Sequence, residues 1–263
     1  MARARVGGVE LAWSEAGGRD VVLFLHGFPF DRRLWAPQLA ALPDGWRGIA
    51  PDLRGFGESA CPAEPAYTME RHAADMLALL DALDVAQAVV CGLSMGGYVA
   101  LAMQRAAPAR VRALVLADTR AEPDTAEART QRAEQAQAIE SDGASAFIDG
   151  MLPKLLADGA AEDVRERVRR MMEGTAPATL VRALHGLAER PDGRPALPAV
   201  AVPVLVIGGT EDRITPPDVL RALADAIPGA RLELIDGAGH VSNLEAERAF
   251  NDALHSFLQS LQR

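Results

Sequence analysis

Short unbroken apolar runs alternate along the chain with longer stretches in which apolar residues recur every three or four positions. Residues 21–25 and 86–91 form runs with little polar alternation, the pattern of strands buried on both faces of a sheet. Residues 47–50, 112–117, 203–207 and 231–235 extend the series. At the start, residues 3–6 and 9–14 flank Gly7-Gly8 and predict a hairpin with a tight turn. Between the runs, Met69, Ala73, Met76, Leu77, Leu80 and Leu83 predict a helix over 68–83. Thr68 is its N-cap, and Glu70 falls in the first turn, where the helix dipole favours an anion. A second helix is expected over 94–107, before Pro108. A third starts at Leu244, with Phe250, Leu254, Phe257, Leu258 and Leu261 on one side and Asn243 as candidate cap. Strands alternating with helices imply a largely parallel sheet covered on both faces, an α/β fold.

Residues 120–198 break this rhythm. They hold no convincing strand, many alanines and arginines, helical patches over 126–140 and 161–173, and apolar clusters at Met151-Leu152, Leu155-Leu156 and 180–187. Those clusters argue against a disordered linker. The expected organisation is an α/β core formed by 1–119 and 199–263, with 120–198 inserted as a helical cap.

Composition narrows the function without naming it. The chain has 263 residues, 49% hydrophobic and 24% charged, enough for a substantial core without covalent staples. A net charge of −9 argues against nucleic acid or an anionic membrane surface as partner. The two cysteines, Cys61 and Cys91, make no disulfide framework and fit a reducing cytoplasm. No apolar stretch is long enough to span a bilayer, and none follows the basic N-terminal residues in the manner of a signal peptide. Without a His-Glu-x-x-His motif or a cysteine cluster, no metal site is expected, and no cofactor is implied. Gly55-Phe56-Gly57 lacks the third glycine of a dinucleotide fingerprint.

Candidate chemistry starts at Gly92-Leu-Ser94-Met-Gly96, set between an apolar run and a helical pattern. Glycine inside an element costs roughly 0.5–1 kcal/mol relative to alanine, so these positions need a reason. A sharp strand-to-helix turn supplies one. It lifts the Ser94 hydroxyl clear of the sheet, and side chains two positions either side would collide, which is the Gly-x-Ser-x-Gly nucleophile elbow. Backbone strain of ~1–3 kcal/mol is tolerated where function requires it.

A serine hydroxyl needs a base to act as nucleophile. Of five histidines, His72 and His255 lie in helical patterns, His185 in the inserted segment and His26 at the end of an early strand. His240 follows a strand and a glycine-bearing loop, and is the expected base. Asp212, just past the run 203–207, is the expected carboxylate partner, giving the chain order Ser, Asp, His. Glu211, Asp118 and Asp236 are its rivals. Charge developing on a carbonyl oxygen requires donors aimed at it, each worth ~2.7–4 kcal/mol. The backbone N–H groups of Met95 and of Phe28, in His26-Gly27-Phe28-Pro29, are expected to supply them. His26 is read as a brace for that loop.

Taken together these residues resemble the α/β-hydrolase superfamily over nearly the whole chain. The segments 26–29, 51–59, 92–97, 208–212 and 239–240 occur in the family's order. Within it, residues 26–30, 51–59 and Ala117-Asp118-Thr119-Arg120 look most like 3-oxoadipate enol-lactone hydrolases and small bacterial carboxylesterases. The resemblance implies a cap domain for the inserted segment and an acyl-enzyme on Ser94, where related dehalogenases and epoxide hydrolases use aspartate. It also makes Asp52 and Arg54 structural anchors. The expected function is hydrolysis of a small or medium carboxylic ester or lactone. Enol-lactone or acyl-homoserine-lactone hydrolysis are alternatives, perhydrolysis is a side activity, and a ligand receptor on the same fold is the non-enzyme alternative. Phe30, Arg120, Met151, Leu152 and Leu155 are expected at the substrate, with Leu156 and Met172 as further lining candidates. Arg120 is either the cation for an anionic lactone or a partner of Asp118.

Overall fold

In the computed structural model, which describes residues 2–262, a single eight-stranded sheet carries the chain. Its strands are β1 (Ala2–Val6), β2 (Val9–Gly17), β3 (Asp20–Leu25), β4 (Trp46–Pro51), β5 (Ala88–Leu93), β6 (Val111–Ala117), β7 (Val204–Gly209) and β8 (Arg231–Ile235). They lie in the order β1-β2-β4-β3-β5-β6-β7-β8. β1 and β2 form the expected hairpin, β2 pairs antiparallel with β4, and every pair from β4 to β8 is parallel.

Helices cover both faces. In chain order they are α1 (Ala36–Ala40), α2 (Met69–Ala82), α3 (Met95–Ala106), α4 (Ala126–Asp142), α5 (Ser145–Leu155), α6 (Glu162–Glu173), α7 (Pro177–Ala188), α8 (Pro217–Asp225), α9 (Ser242–Glu245) and α10 (Glu247–Ser260). Successive strand residues point to opposite faces, so the unbroken apolar runs feed two cores. Leu23, Val90, Leu114 and Val206 join the core under α2, α3, α7 and α8. Phe24, Cys91, Val115 and Leu205 join the core with Trp35 and α10. Thr68 caps α2, its hydroxyl accepting from Arg71 N at 3.2 Å.

The last helix departs from expectation. The four-residue α9, with Val241 at its N-cap position, precedes α10, whose N-cap position is Ala246, so Asn243 caps neither helix. Its amide instead donates to the Leu34 carbonyl and to Gln38 Oε1, both at 3.0 Å. Between β6 and β7 the regular elements are all helical, α4 to α7 followed by a 3-10 turn, joined by short loops. Asp52 and Arg54 knit the loop after β4. Asp52 accepts from Arg32 N at 2.7 Å and Glu58 N at 2.8 Å, and Arg54 holds Asp75 through two bonds of 2.6 and 2.7 Å.

Candidate active site

β5 runs to Leu93 and α3 begins at Met95, leaving Ser94 alone to make the turn. Its backbone sits at φ 52°, ψ −113°, outside the regions favoured by side-chain-bearing residues. The flanking glycines answer to specific atoms. A Cβ at residue 92 would lie 2.2 Å from the Gly96 carbonyl oxygen, and one at residue 96 would lie 2.1 Å from the Leu25 carbonyl oxygen. α3 therefore packs backbone-to-backbone against the end of the sheet, and the half-buried Ser94 stands at its edge.

Three loops converge there. His240 Nε2 lies 2.9 Å from Ser94 Oγ, and His240 Nδ1 lies 2.8 Å from Asp212 Oδ2. Among the carboxylates weighed for this position, Asp212 is the one that meets the imidazole. Its Oδ1 accepts the N–H groups of Ile214 (2.7 Å) and Thr215 (2.9 Å), and the Thr215 hydroxyl donates to Oδ2 at 2.5 Å. Burial alone would push the Asp212 pKa up. The imidazole and these donors outweigh it and hold the carboxyl at about 2. Asp236 accepts from the Thr210 hydroxyl at 3.4 Å, away from the imidazole. Asp118 is wholly buried beneath the site and bonds to Gly209 N and Ser242.

The His240 loop has its own brace. His240 N donates to the Leu155 carbonyl at 3.0 Å, and Glu245 Oε1 accepts from Gly239 N at 3.1 Å and Val241 N at 3.3 Å. Glu245 and Thr215 were not foreseen from sequence. The short Asp212-to-Thr215 spacing, in the manner of an Asx turn, was a signal for the second. His26 acts as the expected loop brace. Its Nδ1 lies 2.9 Å from the Gly27 carbonyl and its Nε2 accepts from Leu53 N at 3.0 Å. Burial lowers its pKa and favours the neutral ring this pairing needs. Gly27 brings the loop against the elbow, since an added Cβ there would lie 3.4 Å from Ser94 Cβ.

A cavity of about 480 Å³ opens above Ser94 and His240, a size suited to a small-molecule ligand. Phe28, Met95 and Met151 line it. Other sequence candidates do not. Phe30 is fully buried in the core with Phe24 and Trp35. Leu152 and Leu155, like Leu156 and Met172, are buried in that same core, because α5 packs its leucines against α6. Arg120 neither reaches the cavity nor pairs with Asp118. Its guanidinium donates to the Ile214 carbonyl, holding the Asp212 loop from outside. Wall residues not foreseen include Tyr98, Phe147, Gly150, Lys154, Leu184 and Ile214. Among the described residues no helix is long and apolar enough to cross a membrane.

A parallel sheet with a strained serine between strand and helix, and a histidine and an aspartate delivered by later loops, defines a hydrolase of the α/β class. The chain belongs to the alpha/beta hydrolase family, whose model matches residues 22–253. It is similar to a thermophilic esterase from Thermogutta terrifontis, solved with malate bound, at 36% identity and a TM-score of 0.97 over 100% of both chains. It is also similar to the enol-lactonase from Burkholderia xenovorans LB400, at 33% identity and a TM-score of 0.91, covering 98% of this chain and 100% of that one. The 3-oxoadipate enol-lactonase 2 of Acinetobacter baylyi is 30% identical over 244 residues, 92% of this chain and 89% of that protein.

Proposed function

We propose that this protein is a serine hydrolase that cleaves small or medium carboxylic esters or lactones through an acyl-enzyme. The observation that carries the reading is the His240 imidazole, 2.9 Å from Ser94 Oγ and 2.8 Å from Asp212 Oδ2, at the floor of an open cavity. His240 takes the Ser94 proton as the oxygen attacks the carbonyl carbon. Asp212, held ionised, orients the ring and stabilises the imidazolium. The oxyanion rests on the N–H groups of Met95 and Phe28. His240 then gives its proton to the leaving alkoxide, which departs from an ester or opens the ring of a lactone. Water, activated by the same base, releases the acid and restores Ser94. Residues 120–198 act as a cap that roofs the cavity. No cofactor takes part. Two free cysteines fit work in a reducing cytoplasm.

Lys154 favours a second, narrower reading. It lines the cavity and has no ion-pair partner among the described residues, whereas Arg132 on the same wall is tied to Asp124. A carboxylate-bearing lactone, the substrate type named for the enol-lactonase relatives, would find its cation there. The test is hydrolysis of p-nitrophenyl esters and of neutral and carboxylate-bearing lactones by the unaltered protein and by Lys154→Ala. Turnover of neutral esters supports the general reading, and absence of any turnover overturns it. A selective KM rise for the carboxylate-bearing lactone in Lys154→Ala supports the narrower one, and equal KM values overturn it.

A further inference from the structure

The carboxyl of Asp118 takes no part in the cycle above, yet it is fully buried and, among the described residues, has no cationic partner. Burying such a group is costly unless its hydrogen bonds are made. They are made, and their partners lie at the end of β7 and the start of α9, which flank two of the three loops that build the site. Asp118 Oδ1 accepts Gly209 N at 3.0 Å, three residues before Asp212, and Oδ2 lies 2.5 Å from Ser242 Oγ, two residues after His240.

The third loop is held by its neighbours. The Ala117 carbonyl accepts Ser94 N at 2.9 Å, and the Thr119 hydroxyl donates to the Ser94 carbonyl at 2.8 Å. The end of β6 therefore touches every loop that carries a reacting side chain. The backbone is bent to allow it: Asp118 sits at φ 45°, a left-handed conformation that aspartate tolerates better than most residues. The slot around the carboxyl is tight, for a Cβ on Gly208 would lie 2.7 Å from Oδ1.

We propose that Asp118 is a positioning residue that fixes the base relative to the acid, by tethering the chain after His240 to the end of β7 that leads to Asp212. The inference rests on the acyl-enzyme reading of Ser94, Asp212 and His240. Burial, and then the nearby charge of Asp212, push the Asp118 pKa well above the usual carboxylate range. Asparagine keeps the shape of the carboxyl and an acceptor oxygen for Gly209 N while removing its charge.

The experiment compares Asp118→Asn, Asp118→Ala, Ser242→Ala and the double alanine variant. Readouts are kcat and KM on p-nitrophenyl butanoate, thermal midpoint, and the downfield NMR resonance of the His240 Nδ1–H. Asp118→Asn is expected to keep kcat within about threefold and retain the resonance. Asp118→Ala is expected to lower kcat by about tenfold to a hundredfold with KM little changed, the scale of a misplaced reacting group, and to broaden or shift the resonance. Ser242→Ala removes the tether from its other end, so it carries the test if Asp118→Ala does not fold. The double variant is expected to be no worse than Asp118→Ala, because the two residues make one contact.

Asp118→Asn as damaging as Asp118→Ala would overturn the proposal, since the charge would then be essential. So would an Asp118→Ala or Ser242→Ala enzyme with unaltered kcat and an unaltered resonance, or one whose loss lies wholly in KM or stability. The resonance is read without substrate. An unaltered protein that hydrolyses no ester therefore sinks the functional reading, while the resonance still decides the tether.

Discussion

The floor and the roof of the cavity are built under different rules. On the floor, Ser94 stands on strained backbone, Asp212 and His240 are almost fully buried, and each makes named hydrogen bonds. The glycines beside the serine are pressed against backbone carbonyls. The roof, α4 and α5, is permissive. Of seventeen residues in α4, Ala136 and Ile139 are buried, and Gly150 in α5 has no atom within 4 Å of where a Cβ would lie. Chemistry that requires reacting atoms within hydrogen-bond reach has to be over-determined. Choosing a substrate by size requires only a boundary, and a boundary tolerates change.

The largest effect should come from the floor. Ser94→Ala is expected to lower kcat on an activated ester by at least about 10⁴-fold while leaving the thermal midpoint near its starting value. Purified protein and a p-nitrophenyl ester suffice to measure it. Retained turnover would show that the floor is not where the chemistry happens.

Acid should silence the reaction before it undoes the fold. Asp212 is held at about 2, below its ordinary 3.8, so its ionised pairing stabilises the fold above the ordinary value. That contribution fades only as pH falls toward about 2. The proposed mechanism needs a general base, so kcat/KM is expected to fall toward acid pH. A pH profile of kcat/KM should therefore fall on its acid side while circular dichroism still reports folded protein. A rate that holds until the fold itself fails would contradict the role of His240.

Much of the floor was legible in sequence, as were the helices of the roof, but most of the side chains that line the roof were not, for one physical reason. Strand runs, the hairpin, the Thr68 cap and the glycines around Ser94 are imposed by neighbours within a few residues. Local pattern therefore carries them. Which carboxylate meets His240 depends on where the β7 loop turns, yet loop position after a strand was enough to favour Asp212. The roof depends on helix rotation. A leucine at 152 or 155 reads the same whether it faces α6 or a ligand, and both face the core. Asn243 illustrates the limit more sharply. It sits where a cap belongs, but its partners Leu34 and Gln38 lie more than two hundred positions away. Arg120 reads from sequence either as a cation for an anionic lactone or as a partner of Asp118, and it reaches the carbonyl of Ile214 instead.

Paired glycine substitutions put the two rules on one scale. Gly92→Ala forces a methyl to within 2.2 Å of the Gly96 carbonyl oxygen, against the Gly96–Gly97 backbone and no flexible side chain. It should cost at least about 1–3 kcal/mol, or prevent folding. Gly150→Ala meets open space on a helix and should gain up to about 1 kcal/mol from helix propensity. Urea unfolding of the two variants measures both. Equal destabilisation would mean that floor and roof are equally constrained.

The smallest effect is also the most selective. Four glycines lie inside helices among the described residues: Gly96, Gly97, Gly150 and Gly186. At Gly96 and Gly186 a Cβ would strike backbone, and at Gly97 it would strike Thr119, so packing explains all three. Nothing in the protein explains Gly150, which lines the exposed mouth of the cavity between Phe147, Met151 and Lys154 on the same face of α5. A long substrate tail would pass over that gap. Gly150→Leu should narrow the mouth without disturbing Ser94, Asp212 or His240. Hydrolysis of p-nitrophenyl acetate should then persist while octanoate falls by about tenfold relative to it, the scale of a few crowded methylenes. A parallel series of alkyl acetates tells whether the affected tail belongs to the acid or to the alcohol. An unchanged length profile in both series would leave the gap at Gly150 without a role in substrate choice, and the boundary would have to lie deeper, among Phe28, Leu184 and Ile214.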